Sequence, residues 1–147
     1  MNTKAVADAI AGRFTGITAN GQGIAIGPTA SLPNSINRGP ALLVYPPTGE
    51  LGIGVSKLRT DILTFAVRLL LDPLDVPSRT NALYAWYDAM RDRIEGNMDL
   101  DLAYVAWAKP TNVRLDLDGQ PYAGALFDVV ELLVDVRFNE VVTTVSP

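Results

Sequence analysis

Two stretches of this chain alternate apolar and other residues for far longer than an ordinary strand does. Between Arg59 and Leu71, Leu63, Phe65, Val67, Leu69 and Leu71 fall on one side of an extended chain, and Ile62, Thr64, Ala66, Arg68 and Leu70 on the other. Further along, Val130, Leu132, Val134, Val136 and Phe138 alternate with Val129, Glu131, Leu133, Asp135 and Arg137. About twelve residues at roughly 3.3 Å each make a strand of about 40 Å. A compact domain of this length has a radius of gyration of roughly 15 Å, so such a strand spans it. The mean strand is only about five or six residues. The chain must therefore build a sheet as wide as the molecule, with one face wholly apolar and the other mixing apolar side chains with pairable charges.

Elsewhere the period changes. Val6, Ile10, Phe14 and Ile17 predict an amphipathic helix from Thr3 to Thr15, with Asn2 or Thr3 as cap and Gly16 as stop. Residues 19–40 are punctuated by Asn20-Gly21, Pro28, Pro33 and Gly39-Pro40, and predict a long loop holding at most a short strand at Ile24 and Ile26. Ala41–Tyr45 reads as a short apolar strand, stopped by Pro46-Pro47. Residues 49–58, where Leu51, Ile53 and Val55 alternate with small residues, read as a flexible arm. Ser78 or Thr80 caps a second helix with the stripe Leu83, Trp86, Tyr87, Met90 and Ile94; Gly96-Asn97 is its stop. A strand from Leu100 to Trp107, a break or bulge at Lys109-Pro110 and a hairpin turning at Asp118-Gly119 follow. The expected fold is one α+β domain over residues 1–147, in the order α-β-β-α-β-β. Its sheet is mainly antiparallel, with two main helices packed on one face. The alternative is a helix layer on both faces, with the first helix reaching the far side.

The residue inventory narrows function. The 147 residues include no cysteine and no histidine. That removes a disulfide scaffold, a thiolate metal site, a Ser-His-Asp triad and the commonest general base. Net charge of −4 argues against a nucleic-acid clamp, which needs a basic face to displace counterions. Asp8 interrupts anything resembling a secretory leader, and no stretch reaches the roughly 20 apolar residues of a spanning helix, so no membrane partner is expected.

The remaining motifs favour bland readings. Gly21-x-Gly23-x-x-x-Gly27 puts Ile26 where a dinucleotide loop needs glycine, and follows a helix instead of a strand. Asp99 and Asp101, like Asp116 and Asp118, alternate with leucines on a wet strand face, without the desolvated partner of a catalytic pair. Ser31, Ser35, Ser56 and Ser78 have no histidine to activate them. Trp86 and Tyr87 belong to a core stripe, whereas Tyr104 and Trp107 fall on opposite strand faces, leaving one free for a partner. No catalytic residue, metal or cofactor is expected. An enzyme or small-molecule domain would need a pocket beneath Trp86 and Tyr104.

The mixed strand face is the stronger signal. Apolar contacts combined with charges that fix register characterise subunit interfaces. The candidate interface is Ile62, Arg68, Leu70, Glu131, Leu133, Asp135 and Arg137, and a symmetric homo-oligomer is the economical assembly.

This layout resembles the tail terminator proteins of long-tailed phages. The likeness lies in the order of elements over nearly the whole chain. It runs from the N-terminal helix with Val6, Ile10 and Phe14, through a Pro/Gly-rich loop, the strand Thr60-Asp61-Ile62-Leu63-Thr64-Phe65-Ala66-Val67-Arg68 and the helix segment Tyr84-Ala85-Trp86-Tyr87. The strand from Phe127 to Arg137 closes it. The resemblance implies a structural virion protein whose ring, usually sixfold, caps the tail tube, ends its polymerisation and joins the tail to a head-side connector. It implies partners in self, tube protein and connector, with DNA passing the lumen without specific binding. On that basis Asn34, Arg38, Glu50 and Lys57 mark docking loops, and Asp99, Asp101, Asp116 and Asp118 are candidate lumen residues. A head-side connector or stopper protein is the alternative within the same virion.

Overall fold

The computed structural model describes residues 2–50, 58–73, 78–94 and 100–141. Helix α1 (Thr3–Gly12) starts where Asn2 takes an extended conformation and its side-chain oxygen accepts from the Ala5 N–H at 3.0 Å. It ends short of Thr15. Phe14 and Ile17 still reach the core, because Arg13, Phe14, Thr15 and Ile17 each donate to the carbonyl three residues earlier and wind the chain on as tight turns. Gly16, at φ +76°, then supplies the left-handed reversal.

The segment expected as loop carries more structure than its composition suggests. β1 (Thr18–Ala19) and β2 (Gln22–Gly23) form a minimal hairpin around Asn20-Gly21, both at positive φ. β3 (Ile26–Thr29) then runs parallel to β4 (Ala41–Val44). β5 (Thr48–Glu50) and β4 both pair with β6 (Leu58–Leu71) in antiparallel sense. Helix α2 (Arg79–Ile94) follows, and then the hairpin β7 (Val105–Tyr122) and β8 (Ala125–Val141). The six-stranded sheet has the order β3-β4-β6-β8-β7, with β5 also against β6. The fold is α+β, as expected.

Two local expectations are corrected. The hairpin does not turn at Asp118-Gly119. It turns at Ala123-Gly124, with φ of 49° and 86°, the positive values a two-residue turn needs to match strand twist. Asp118-Gly119 instead forms part of a bulge, since the register passes from Asp116↔Val129 to Gln120↔Phe127. A Cβ on Gly119 would lie 2.4 Å from that of Asp116, so the glycine serves close packing there. The strand expected from Leu100 begins only at Val105. Asp101 at φ 54° breaks the extended chain, and Val105 N–H closes a turn on the Leu102 carbonyl at 3.0 Å. The expected irregularity near Lys109-Pro110 is a bulge between Pro110 and Asn112. The helix stop expected at Gly96-Asn97 lies outside the described residues.

One core holds the molecule together. Val6 and Ile10 of α1 and Leu83, Trp86, Met90 and Ile94 of α2 join Phe65, Val67 and Leu69 of β6 and Val130, Leu132, Val134, Val136 and Phe138 of β8 in a single cluster. Both helices therefore cover the same sheet face. A second, smaller cluster lies on the other face, where Ile36 packs on Ala41, Leu43, Leu70, Phe127 and Val129. Among the described residues no helix is long and apolar enough to cross a membrane.

The turn assignment predicts opposite signs for two glycine exchanges. Ala123→Gly relieves a left-handed alanine and raises stability by about 1 kcal/mol. Gly119→Ala overpacks the bulge and lowers it by about 1–3 kcal/mol. Thermal melts of the two variants measure this directly, and reversed signs would return the turn to Asp118-Gly119.

Candidate functional site

The face turned away from the helices carries the residues that the sequence singled out, and the register explains their arrangement. Glu131 of β8 lies opposite Arg68 of β6 on one side and Arg114 of β7 on the other. Arg68 Nε donates to its carboxylate at 2.5 Å and Arg114 Nε at 3.5 Å, while Arg114 also pairs with Asp116 at 2.8 Å. A row of alternating charge thus crosses three strands. Burial pushes the Glu131 carboxyl up, but the two arginines overcome this and hold it below its ordinary value. The Arg68 guanidinium also stacks over Tyr45, 4.2 Å from the ring centre. Two residues on, Asp135 accepts from Thr64 Oγ1 at 2.7 Å and lies opposite Lys109.

Arg137 breaks this pattern. Its register neighbours are Ile62 and Trp107, neither of them acidic. Its Nε is buried and has no hydrogen-bond acceptor among the described residues. Ile62 beside it is 43% exposed.

The expected interface thus divides in two. Arg68 and Glu131 are paired within the protomer, and Leu70 is fully buried under Ile36, removed from any partner's reach. Ile62, Leu133, Asp135 and Arg137 remain on the part of the face outside that covered cluster. Of the expected docking residues, Asn34 and Arg38 are exposed on a loop that is tied down by buried Ile36 and by the Tyr122 hydroxyl donating to the Pro33 carbonyl. Glu50 ends β5, where its backbone pairs with Ile62. Lys57 and Asp99 lie outside the described residues. Asp101 sits in the turn before β7. Asp116 and Asp118 do not form a free acidic row, because Arg114 and Arg79 engage them at 2.8 and 2.9 Å.

Sequence reasoning missed the clamp at the start of α2. Arg79 grips Asp128 through both nitrogens, at 2.9 and 2.6 Å, and the Asp118 amide donates to the same carboxylate at 2.8 Å. Asp128 lies on the apolar, helix-facing register of β8 and its side chain is 2% exposed. An acid at a core-facing position needs a cation, and that was the legible signal. Burial pushes the Asp128 carboxyl up, yet Arg79 and the Asp118 amide bring it below the ordinary value. A recess of about 170 Å³ adjoins the clamp, lined by Asn20, Gln22, Asp72 and Arg79 among others. Small-molecule sites usually enclose about 300–1,000 Å³. Trp86 is fully buried, and Tyr104 stacks on Phe138 and donates to the Asn2 carbonyl, so both serve packing.

No protein-family model matches the chain, and no curated protein matches it.

Both lowered carboxyls stabilise the folded state above the ordinary carboxylate range, roughly pH 4. That stability is lost as pH falls through and below this range toward their depressed folded values. Asp128→Asn should lower the urea midpoint at pH 7 and flatten its decline between pH 5 and pH 3. A midpoint that falls with acid as steeply as wild type would remove the clamp from the account.

Proposed function

We propose that this chain is a structural virion protein that assembles into a ring, caps a tail tube and joins it to a head-side connector. The observation that carries the reading is Arg137. Arg137 as a whole is only half-buried and has no acidic cross-strand neighbour, so a carboxylate on a second copy would supply the ion pair that those neighbours do not. Around it, Ile62, Leu133 and Asp135 give the apolar and charged contacts of a subunit interface. The strands that carry them are fourteen and seventeen residues long, which supports a sheet built to meet neighbours. The order of elements, similar to that of the tail terminator family, supplies the capping role and a copy number of six.

Asn34 and Arg38 are the docking residues for an adjoining ring, raised on a loop already anchored by Ile36. The acidic balance of the chain, −4, favours passage of DNA through the ring, because a lumen without basic contacts does not hold phosphates.

Added to polymerising tail-tube protein, the chain should shorten the tubes and leave a ring of extra mass at one end in electron micrographs. Tubes of unchanged length and bare ends would refute the capping role. Arg137→Glu and Ile62→Asp should prevent ring formation while leaving the circular-dichroism melt within a few degrees of wild type. Arg68→Glu should instead lower the melt, because its partner Glu131 lies in the same protomer.

A further inference from the structure

Lys109 and Arg137 leave a positive patch on the helix-free face of the sheet that the protomer does not neutralise. Arg137 of β8 has Trp107 of β7 as its register neighbour, and the Lys109 ammonium lies over the same indole, 4.6 Å from the ring centre. Asp135, opposite Lys109, is engaged by Thr64, and among the described residues no acid pairs with either cation. On the other side of Arg137 stands Ile62 of β6, an apolar side chain open to solvent. The patch therefore crosses three neighbouring strands as Ile62, Arg137 and Lys109. A complementary pattern lies on the opposite side of the molecule. Leu83, Trp86, Met90 and Ile94 turn one side of α2 into the core, which leaves Tyr84, Asp88 and Asp92 on the other at four-residue spacing. Tyr84 is 62% exposed; both aspartates are exposed too, and neither carboxylate has a partner among the described residues. By contrast, Asp116, Asp118, Asp128 and Glu131 are each held by an arginine of the same chain.

We infer that α2 of a second copy docks on this patch, with Asp88 and Asp92 against Arg137 and Lys109, and Tyr84 against Ile62. This rests on the ring reading and names the surface that meets Arg137. The spacings agree. Four helical residues advance about 6 Å. Neighbouring strands lie about 4.8 Å apart, and diagonal cross-strand positions such as Arg137 and Lys109 about 7–8 Å. A helix laid across β6, β8 and β7 therefore brings its apolar side chain and its two acids over the three strands in turn. No chain can make this contact with its own helix, because α2 packs on the other face and the core and the sheet lie between. The giving and receiving surfaces are different, so copies join front to back, and a closed set of such contacts is a ring. Opposite charges at fixed spacing also set the register of the contact and reject wrong partners.

Exchanging the charges of the two surfaces tests this. One variant carries Asp88→Lys and Asp92→Lys, the other Lys109→Glu and Arg137→Glu, and circular dichroism checks each for an unchanged fold. Lys109→Glu alone, at an exposed position, replaces the second pair if that variant melts early. Light scattering is measured under the conditions in which the wild type assembles. The expected result is the mass of one chain for each variant by itself and recovery of the ring mass in an equimolar mixture. In the mixture the basic helix meets the acidic face and the acidic helix meets the basic face, alternately around a ring of even number. A helix variant that assembles as fully as wild type would overturn the inference and leave the ring reading standing. Two variants that fail alone and fail when mixed would overturn it as well, and would assign the patch to another part of the ring or to the tube. A wild type that stays monomeric with and without tubes would remove both the inference and the ring.

Discussion

Every residue of β6 pairs with β8, from Leu58↔Val141 to Leu71↔Asp128, and this ladder sets what the rest of the chain can do. Because side chains alternate strictly along a strand, the pairing fixes two faces at once. Phe65, Val67, Leu69, Val130, Leu132 and Val134 go to one side and demand cover, which α1 and α2 provide together. The opposite side then receives Arg68, Glu131, Asp135 and Arg137 whether or not anything covers them. Slipping the register by one residue would bury those charges and expose the core, so the two faces are coupled: the residues that make the core also place the charged residues of the opposite face.

Charge placement follows from the same ladder. Glu131 sits between two arginines on flanking strands, and Asp135 has Thr64 and Lys109 across from it. Arg79 holds Asp128 where β8 meets the start of α2, fastening the helix layer to the sheet at the end where the β7–β8 hairpin returns. These ion pairs satisfy groups that burial would otherwise penalise, and they specify register more than they add stability. Arg137 stands apart because its cross-strand neighbours are Ile62 and Trp107. Within the proposed ring, a carboxylate of a second copy would pair with it.

The long strands, the second helix, the apolar face and the single-sided helix layer were legible in the sequence, because each rests on a period that no local feature disturbs. Positions where one residue decides the backbone were less legible. Ala123 carries no turn signal, yet the hairpin turns there, while the stronger signal at Asp118-Gly119 serves a bulge. Leu70 has the parity of an exposed face, but a loop with no period of its own folds over it through Ile36. The roles of Arg68 and Glu131 changed for a related reason. Alternation places a charge on a face without saying whether its partner comes from the next strand or the next molecule. Asp128 shows the converse: its place on the apolar register was a sign that it needs a partner, and the sequence reading passed over it.

In the proposed ring, the face bearing Ile62, Asp135 and Arg137 is closed by further copies of the chain. Multi-angle light scattering of the purified protein, alone and after addition of tail tubes, tests it most directly. The expected mass is near six times the 15.8 kDa of one chain, either free or on the tube. A single-chain mass under both conditions, with no protein on the tubes, would contradict it.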